Sequence, residues 1–136
     1  MSELDPAFDE PPYAFPTHIG MRMTGWKQSW ARFEMPLQPF HMNRHDNPHG
    51  GVHASLLDTV MGYAGCWTGD PEVRQMALTL SLNVMYLSRP KGTLLIGEGR
   101  QTGGGRSTFF AEAQVSDNTG ELIATGTGVF RYRKSG

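Results

Sequence analysis

Between Pro48 and Pro71 the chain has room for one long helix, and the segments on either side of it read as strand. Gly50 and Gly51 open the helical pattern. At about 100° per residue, Val52, Leu56, Val60, Tyr63, Ala64 and Trp67 fall on one arc, with Leu57 at its edge, so this helix has one face to bury. Asp58 lies on the far side, and its neighbours at helical spacing are Ala54, Ser55, Met61, Gly62 and Gly65. A solvated face would carry Lys and Glu pairs, whereas this one is small and smooth enough for another chain or a ligand to approach the backbone. Gly62 and Gly65 cost about 1 kcal/mol each relative to Ala inside a helix, so a close approach is expected to offset them. Gly69 suits a left-handed cap, which predicts a helix end near Thr68-Gly69, before Pro71 blocks continuation.

The start of the helix is equally informative. The first turn leaves backbone N–H groups without intrahelical partners and carries partial positive charge. With no side chains at Gly50 and Gly51, a carbonyl oxygen or an anion can reach those amides directly. The same residues also suit a plain tight turn with Asp58 as a surface carboxylate, and both readings stand on this stretch alone.

Around the helix the chain alternates as strands do. Residues 19–35 read as a strand pair punctuated by Gly20 and Gly25 and ended by Pro36 and Pro39, and the loop 40–48 brings Asn43 towards the helix start. Residues 78–87 form the clearest strand, with Leu78, Leu80, Leu82, Val84 and Tyr86 on one face and Thr79, Ser81, Asn83, Met85 and Leu87 on the other. That alternation directs Thr79 away from the helix-covered face. Strands over 93–102, 107–117 and 122–133 follow, joined at Gly103-Gly104-Gly105 and Asn118-Thr119-Gly120. The triple glycine lacks the Gly-Lys-Ser/Thr ending of a nucleotide loop. Strands, one helix and a run of antiparallel strands make an α+β architecture, a sheet wrapped around one central helix.

Composition narrows the function classes. At 136 residues the chain is long enough for one cored domain, expected over 18–136, behind an arm over 1–17 that carries Pro6, Pro11, Pro12 and Pro16 and disfavours regular structure. Phe8, Tyr13 and Phe15 are placed to anchor that arm or to line one end of a pocket. Twelve basic residues against thirteen acidic ones give a net charge of −1, without the field that a nucleic-acid or anionic-membrane binder needs. Cys66 is the only cysteine, so no intrachain disulfide forms. The acidic N-terminus lacks the apolar core of a secretory signal and no apolar run reaches membrane-spanning length, so a cytoplasmic protein is expected. His41, His45, His49 and His53 recur every fourth position, but Pro48 and the glycine pair interrupt any helix that would align them, so no metal site is expected.

Asn43, His49-Gly50-Gly51, Leu57-Asp58 and the run 79–87 together resemble the hotdog-fold acyl-CoA thioesterases of the phenylacetate-degradation, 4-hydroxybenzoyl-CoA thioesterase-like type, over roughly residues 18–133. The resemblance implies a hotdog fold and a homodimer, or a dimer of dimers, whose sheets join edge to edge. It implies hydrolysis of an acyl-CoA thioester without metal or cofactor, at sites whose carboxylate and amide donors come from different subunits. Asp58 would be the general base or the nucleophile, and the Gly50 amide, with Gly51 as a second candidate, would polarise the carbonyl. Asn43 and His49 would fix the carbonyl or the loop, and Thr79 would orient water. For the phosphates of coenzyme A the candidates are cations at turns, Arg89, Lys91, Arg100 and above all Arg106, which follows Gly105. His53 stands on the apolar arc where that family has an aliphatic residue, and a hydrogen-bonded, partly buried imidazole is expected there. A non-catalytic acyl-CoA sensor or carrier is the alternative. A hydratase ranks last, because no histidine follows Asp58.

Overall fold

The computed structural model describes residues 4–11 and 13–134; residues 1–3 and Pro12 of the expected arm and residues 135–136 lie outside the described residues. Six strands, β1 (Arg22–Lys27), β2 (Trp30–Pro36), β3 (Ala77–Tyr86), β4 (Leu94–Gly104), β5 (Thr108–Asp117) and β6 (Leu122–Tyr132), form one antiparallel sheet in the order β1-β2-β4-β5-β6-β3. A short helix, α1 (Ala14–Ile19), precedes the sheet, and the long helix α2 (Gly50–Ala64) packs against all six strands. This is the hotdog architecture.

The core is the α2 face set into the sheet. Leu56, Leu57, Val60 and Met61 are fully buried against Phe33, Met35, Leu95, Phe109, Val115, Ile123 and Phe130. Met61, which the helical projection assigns to the Asp58 side, is core, because the sheet curls around more of the helix than a single flat layer would cover. Gly99 in β4 permits the approach: a Cβ there would lie 2.6 Å from the carbonyl oxygen of Val60, so the helix backbone rests directly on that strand.

Three expectations are corrected. The helix ends at Ala64, about one turn before Thr68-Gly69, with Gly65 as its cap. The reason is tertiary: a Cβ at Gly65 would lie 2.2 Å from the Phe109 ring, and the Tyr132 hydroxyl donates to the Gly65 carbonyl at 2.9 Å. The close approach that offsets this glycine thus comes from the protein's own sheet. Gly69, with φ 80°, belongs to a separate turn.

The second correction concerns β3. Thr79 opposes Phe130 and Ser81 opposes Val129, which leaves Leu80 as an extra, bulged residue. One extra residue inverts the alternation. Ala77 and Thr79 therefore share the helix-facing side with Leu82, Val84 and Tyr86, while Leu78 and Leu80 are exposed.

The third concerns the arm, whose residues 14–17 belong to α1 rather than to an irregular segment. Pro16 is tolerated in the first turn and Gly20, with φ 88°, closes the helix, so the strand pair starts at Arg22 and not near Ile19. Upstream, Phe8 packs its ring on Trp26 and Trp67, with centroids 6.2 and 5.3 Å away, which drapes the arm over the open end of the sheet.

Candidate functional site

The loop before α2 is held by its own side chains. His41 is buried, its Nδ1 accepting from the Gln38 amide and its Nε2 lying 2.6 Å from the Ile19 carbonyl. The Asn43 carboxamide oxygen accepts from the amides of His45 and Asn47, so Asn43 shapes the turn and delivers His49 to the helix start. His49 caps α2: its Nδ1 accepts the Gly51 amide at 2.9 Å, which leaves the Gly50 amide as the one of the pair without a partner among the described residues. Of the expected carbonyl donors, Gly50 and as a second candidate Gly51, the structure commits the Gly51 amide to His49. The Gly50 carbonyl in turn accepts from the Tyr86 hydroxyl at 2.7 Å. Tyr86 has no site role in the sequence reading, although its place on the helix-covered face of the strand is the signal that could have supplied one.

Two turns further on, Asp58 is half-buried, and the Thr79 hydroxyl donates to its Oδ1 at 2.7 Å. The bulge at Leu80 creates this pair by turning Thr79 inward. Asp58 Oδ2 has no hydrogen-bond partner among the described residues. Beside the pair opens a cavity of about 450 Å³ that runs along α2 past Gly62 and Tyr63 to Cys66 and is lined also by Glu10 and Tyr13 of the arm and by Gln75 and Met76. Burial pushes the Cys66 thiol up to about 12, with the nearby Glu10 charge acting the same way, so this cysteine is a neutral wall residue and no nucleophile.

The helix separates these two centres. Gly50 and Asp58 lie eight residues apart on one straight helix, about 12 Å of axial rise. A reacting carbonyl needs an amide donor and a carboxylate or its water each within about 3 Å, so one chain's Gly50 and Asp58 do not serve the same carbonyl.

The remaining candidates lie elsewhere. Arg106 shares a second, open cavity of about 1190 Å³ with Arg74, Arg131, Arg133 and Lys134, an all-cationic group of which sequence spacing shows only Arg106. The Gly105 amide is used by the hairpin, donating to the Thr108 carbonyl at 2.8 Å. Arg89 is exposed in the turn after β3 and lines neither cavity, while Arg100 pairs with Glu112 on the outer face of the sheet. Among the described residues no group of three or more His, Cys, Asp or Glu is arranged to hold a metal ion, and no helix is long and apolar enough to cross a membrane.

Comparison with known proteins gives this geometry a family context. The model of the thioesterase superfamily matches residues 45–124. A Bacillus halodurans protein solved with CoA is 31% identical, the match covering 74% of this chain and 70% of that one, with a TM-score of 0.65. A conserved protein from Pseudomonas aeruginosa superposes with a TM-score of 0.81 at 24% identity over 90% of this chain and 95% of that one. The Escherichia coli PaaI protein from the phenylacetic acid degradation operon superposes with a TM-score of 0.77 at 17% identity, over 88% and 84% of the two chains.

Proposed function

The chain belongs to the thioesterase superfamily, and from that premise we propose that it hydrolyses acyl-CoA thioesters to the free acid and CoA, with Asp58 as general base or nucleophile. Membership supports thioester hydrolysis in general, and the CoA held by the 31%-identical relative supports a CoA ester as the substrate. The observation that carries the reading is Asp58 in the lining of a largely apolar cavity, with one carboxylate oxygen held by Thr79 and the other without a partner among the described residues.

The chemistry follows from that geometry. The acyl group enters the cavity and its carbonyl oxygen accepts the Gly50 amide, which adds the field of the helix start to the polarisation of the C=O bond. As general base, Asp58 takes a proton from a water that attacks the carbonyl carbon; as nucleophile, it attacks that carbon itself and water cleaves the resulting anhydride. Either way the tetrahedral oxyanion is stabilised at Gly50, and its collapse expels the CoA thiolate. Thr79 fixes the carboxylate and, with its hydroxyl beside Oδ1, helps hold the water. His49, by occupying the Gly51 amide, and Tyr86, by holding the Gly50 carbonyl, aim the remaining amide outwards.

Because Gly50 and Asp58 of one chain are too far apart to share a carbonyl, the reading requires a second copy, Gly50 of one meeting Asp58 of the other. The edge strand β3 supports this, since it presents Leu78, Leu80, Met85 and Tyr86 to solvent beside an unpaired strand edge. Arg106 and its cationic neighbours are suited to the phosphates of the CoA nucleotide.

The test is steady-state hydrolysis of aryl, short-chain and medium-chain acyl-CoA esters by wild type and Asp58→Asn, read as thiol release. Turnover of at least one ester that falls roughly 10²- to 10⁴-fold in the variant is expected. Tight binding of acyl-CoA by the wild type without turnover of any ester would instead make this a binding protein.

A further inference from the structure

Residues 5–11 run past the Cys66 end of the main cavity and are tied to the body by side chains alone. Among the described residues their backbone hydrogen bonds are local, from the Phe8 amide to Asp5 and from the Asp9 amide to Pro6, and none reaches the sheet or α2. Asp5, Pro6, Ala7, Asp9 and Pro11 are exposed, and only Phe8 and Glu10 are half-buried. Phe8 sets its ring on Trp26 and Trp67, with centroids 6.2 and 5.3 Å away, and Glu10 Oε1 accepts the Tyr63 hydroxyl at 2.8 Å. Burial first, and the bond to Glu10 second, hold the Tyr63 phenol well above its ordinary value, so it stays protonated and keeps donating. The chain is anchored again at α1, where Pro16 is buried and the Ile19 carbonyl lies 2.6 Å from His41 Nε2.

The surface beneath this segment is firmly built. Trp26 donates its indole N–H to the Tyr63 carbonyl at 2.9 Å and stands edge-on to the Tyr63 ring, which in turn packs on Phe33 of the core. A rigid aromatic seat thus receives a lightly tied segment. The seat is not fully satisfied when occupied, because Trp67 Nε1 is buried without a hydrogen-bond partner among the described residues. A buried donor with no acceptor carries a free-energy cost that water would relieve. The closed arrangement therefore sets ring contacts and one hydrogen bond against one unmet indole N–H, a balance suited to local opening without unfolding of the domain.

We infer that residues 5–11 are a strap that opens and closes over the Cys66 end of the cavity, latched by Phe8 in its aromatic seat and by Glu10 on Tyr63. Opening releases both latches together, lets water reach Trp67 Nε1 and widens the way into the cavity that Asp58 also lines. The motion is independent of the chemistry. Its effect on turnover rests on the acyl-CoA hydrolase reading, in which ester or product passes while the strap is open.

Cys66 reports the motion, since it is the only cysteine, 7% exposed and in the cavity wall. While the strap is closed, burial and the Glu10 charge hold its thiol up to about 12, so it reacts slowly with iodoacetamide; opening relieves both. The experiment follows Cys66 alkylation by intact mass at one pH in the full-length wild type, Phe8→Ala, Tyr63→Phe and Asp117→Asn, beside the global unfolding rate of each. Wild-type labelling is expected to be faster than global unfolding. Phe8→Ala should speed it by roughly 10-fold or more, the effect of removing a largely buried aromatic side chain from the closed state alone. Tyr63→Phe, which keeps the ring and removes the donor to Glu10, should speed it less and decides the matter if the alanine variant does not fold. Asp117→Asn, which loosens turns away from the cavity, should leave it unchanged. Labelling only at the global unfolding rate, or equal rates in all four proteins, overturns the strap. For phenylacetyl-CoA, kcat and KM should rise together in Phe8→Ala; faster labelling with both constants unchanged overturns the gating role while leaving the hydrolase reading intact. Should the wild type turn over no ester, the hydrolase reading fails and the labelling rates alone decide whether the strap opens.

Discussion

His53 is a residue whose surroundings work against its own polarity. It lies on the core side of α2, only 4% exposed, and its Nδ1 has no hydrogen-bond partner among the described residues, with the Tyr86 ring 6.2 Å away. Burial lowers its pKa, because the charged imidazolium is poorly solvated there. The unfolded chain takes up this proton near pH 6.5 and the folded one only at lower pH. The neutral folded state is therefore at full stability above about pH 6.5 and loses stability as the pH falls through the window below it. His53→Leu removes both the orphaned nitrogen and the proton uptake. It is expected to stabilise the protein by roughly 1–2 kcal/mol at pH 7 and to flatten the fall in Tm between pH 7 and 5, as thermal unfolding at a series of pH values would measure. A variant no more stable than wild type and equally acid-sensitive would show that the imidazole is satisfied. Burial of His53 is legible in the helical arc; the missing partner is not, because it depends on which strand residue faces Nδ1. The same holds for His49, whose spacing marks the helix start but whose capture of the Gly51 amide depends on the rotamer of its ring.

The elements divide along a similar line. The start of α2 is written locally, in Pro48, the glycine pair and the apolar period, whereas its end is set by Phe109 and Tyr132 from strands more than forty residues downstream. The strand over 77–86 is equally legible, but the bulge at Leu80 is not, since nothing in a run of alternating leucines says which residue is extra until β6 is laid beside it. That one register shift decides whether Thr79 meets Asp58. At the opposite end of the sheet, Asp117 closes β5 and gathers two turns on its buried carboxylate. It accepts from the Lys91 and Gly92 amides at 2.7 and 2.8 Å and from the Thr119 amide and hydroxyl at 2.8 and 2.6 Å. Burial alone would raise this carboxyl, but the Thr119 hydroxyl and these amides overcome it and hold it well below the ordinary range. The carboxylate's contribution is thus complete above the unfolded value near pH 3.9 and is lost as the pH falls below it. Asp117→Asn, which replaces one acceptor oxygen by a donor NH₂, should destabilise by about 1–3 kcal/mol at pH 7. The gap in Tm from wild type should narrow below pH 4; a gap that is constant with pH would mean that the charge is not what joins the turns.

For the whole molecule the sheet-around-helix plan is legible because it needs only the count and order of elements, while the proposed site draws its carbonyl donor from one chain and its carboxylate from another. The distance along α2 from Gly50 to Asp58 is fixed by helix geometry and no side-chain motion shortens it, so a shared site is a consequence that mixing can test. Asp58→Asn keeps the Gly50 amide, and Gly50→Pro removes that donor while keeping Asp58. Each variant alone has every site damaged. In a mixed dimer, one site joins the two lesions and the other joins two intact halves. Dissociating and reassociating an equal mixture should therefore restore about a quarter of wild-type activity, since half of the dimers are mixed and each carries one intact site. Recovery must track dimer formation in sedimentation, and it should fail when β3 carries Leu78→Lys and Leu80→Lys, whose charges oppose strand pairing at the exposed edge. No recovery from a mixture that does form mixed dimers would place Asp58 and its carbonyl donor in the same chain, and the donor would then have to be a group other than the Gly50 amide.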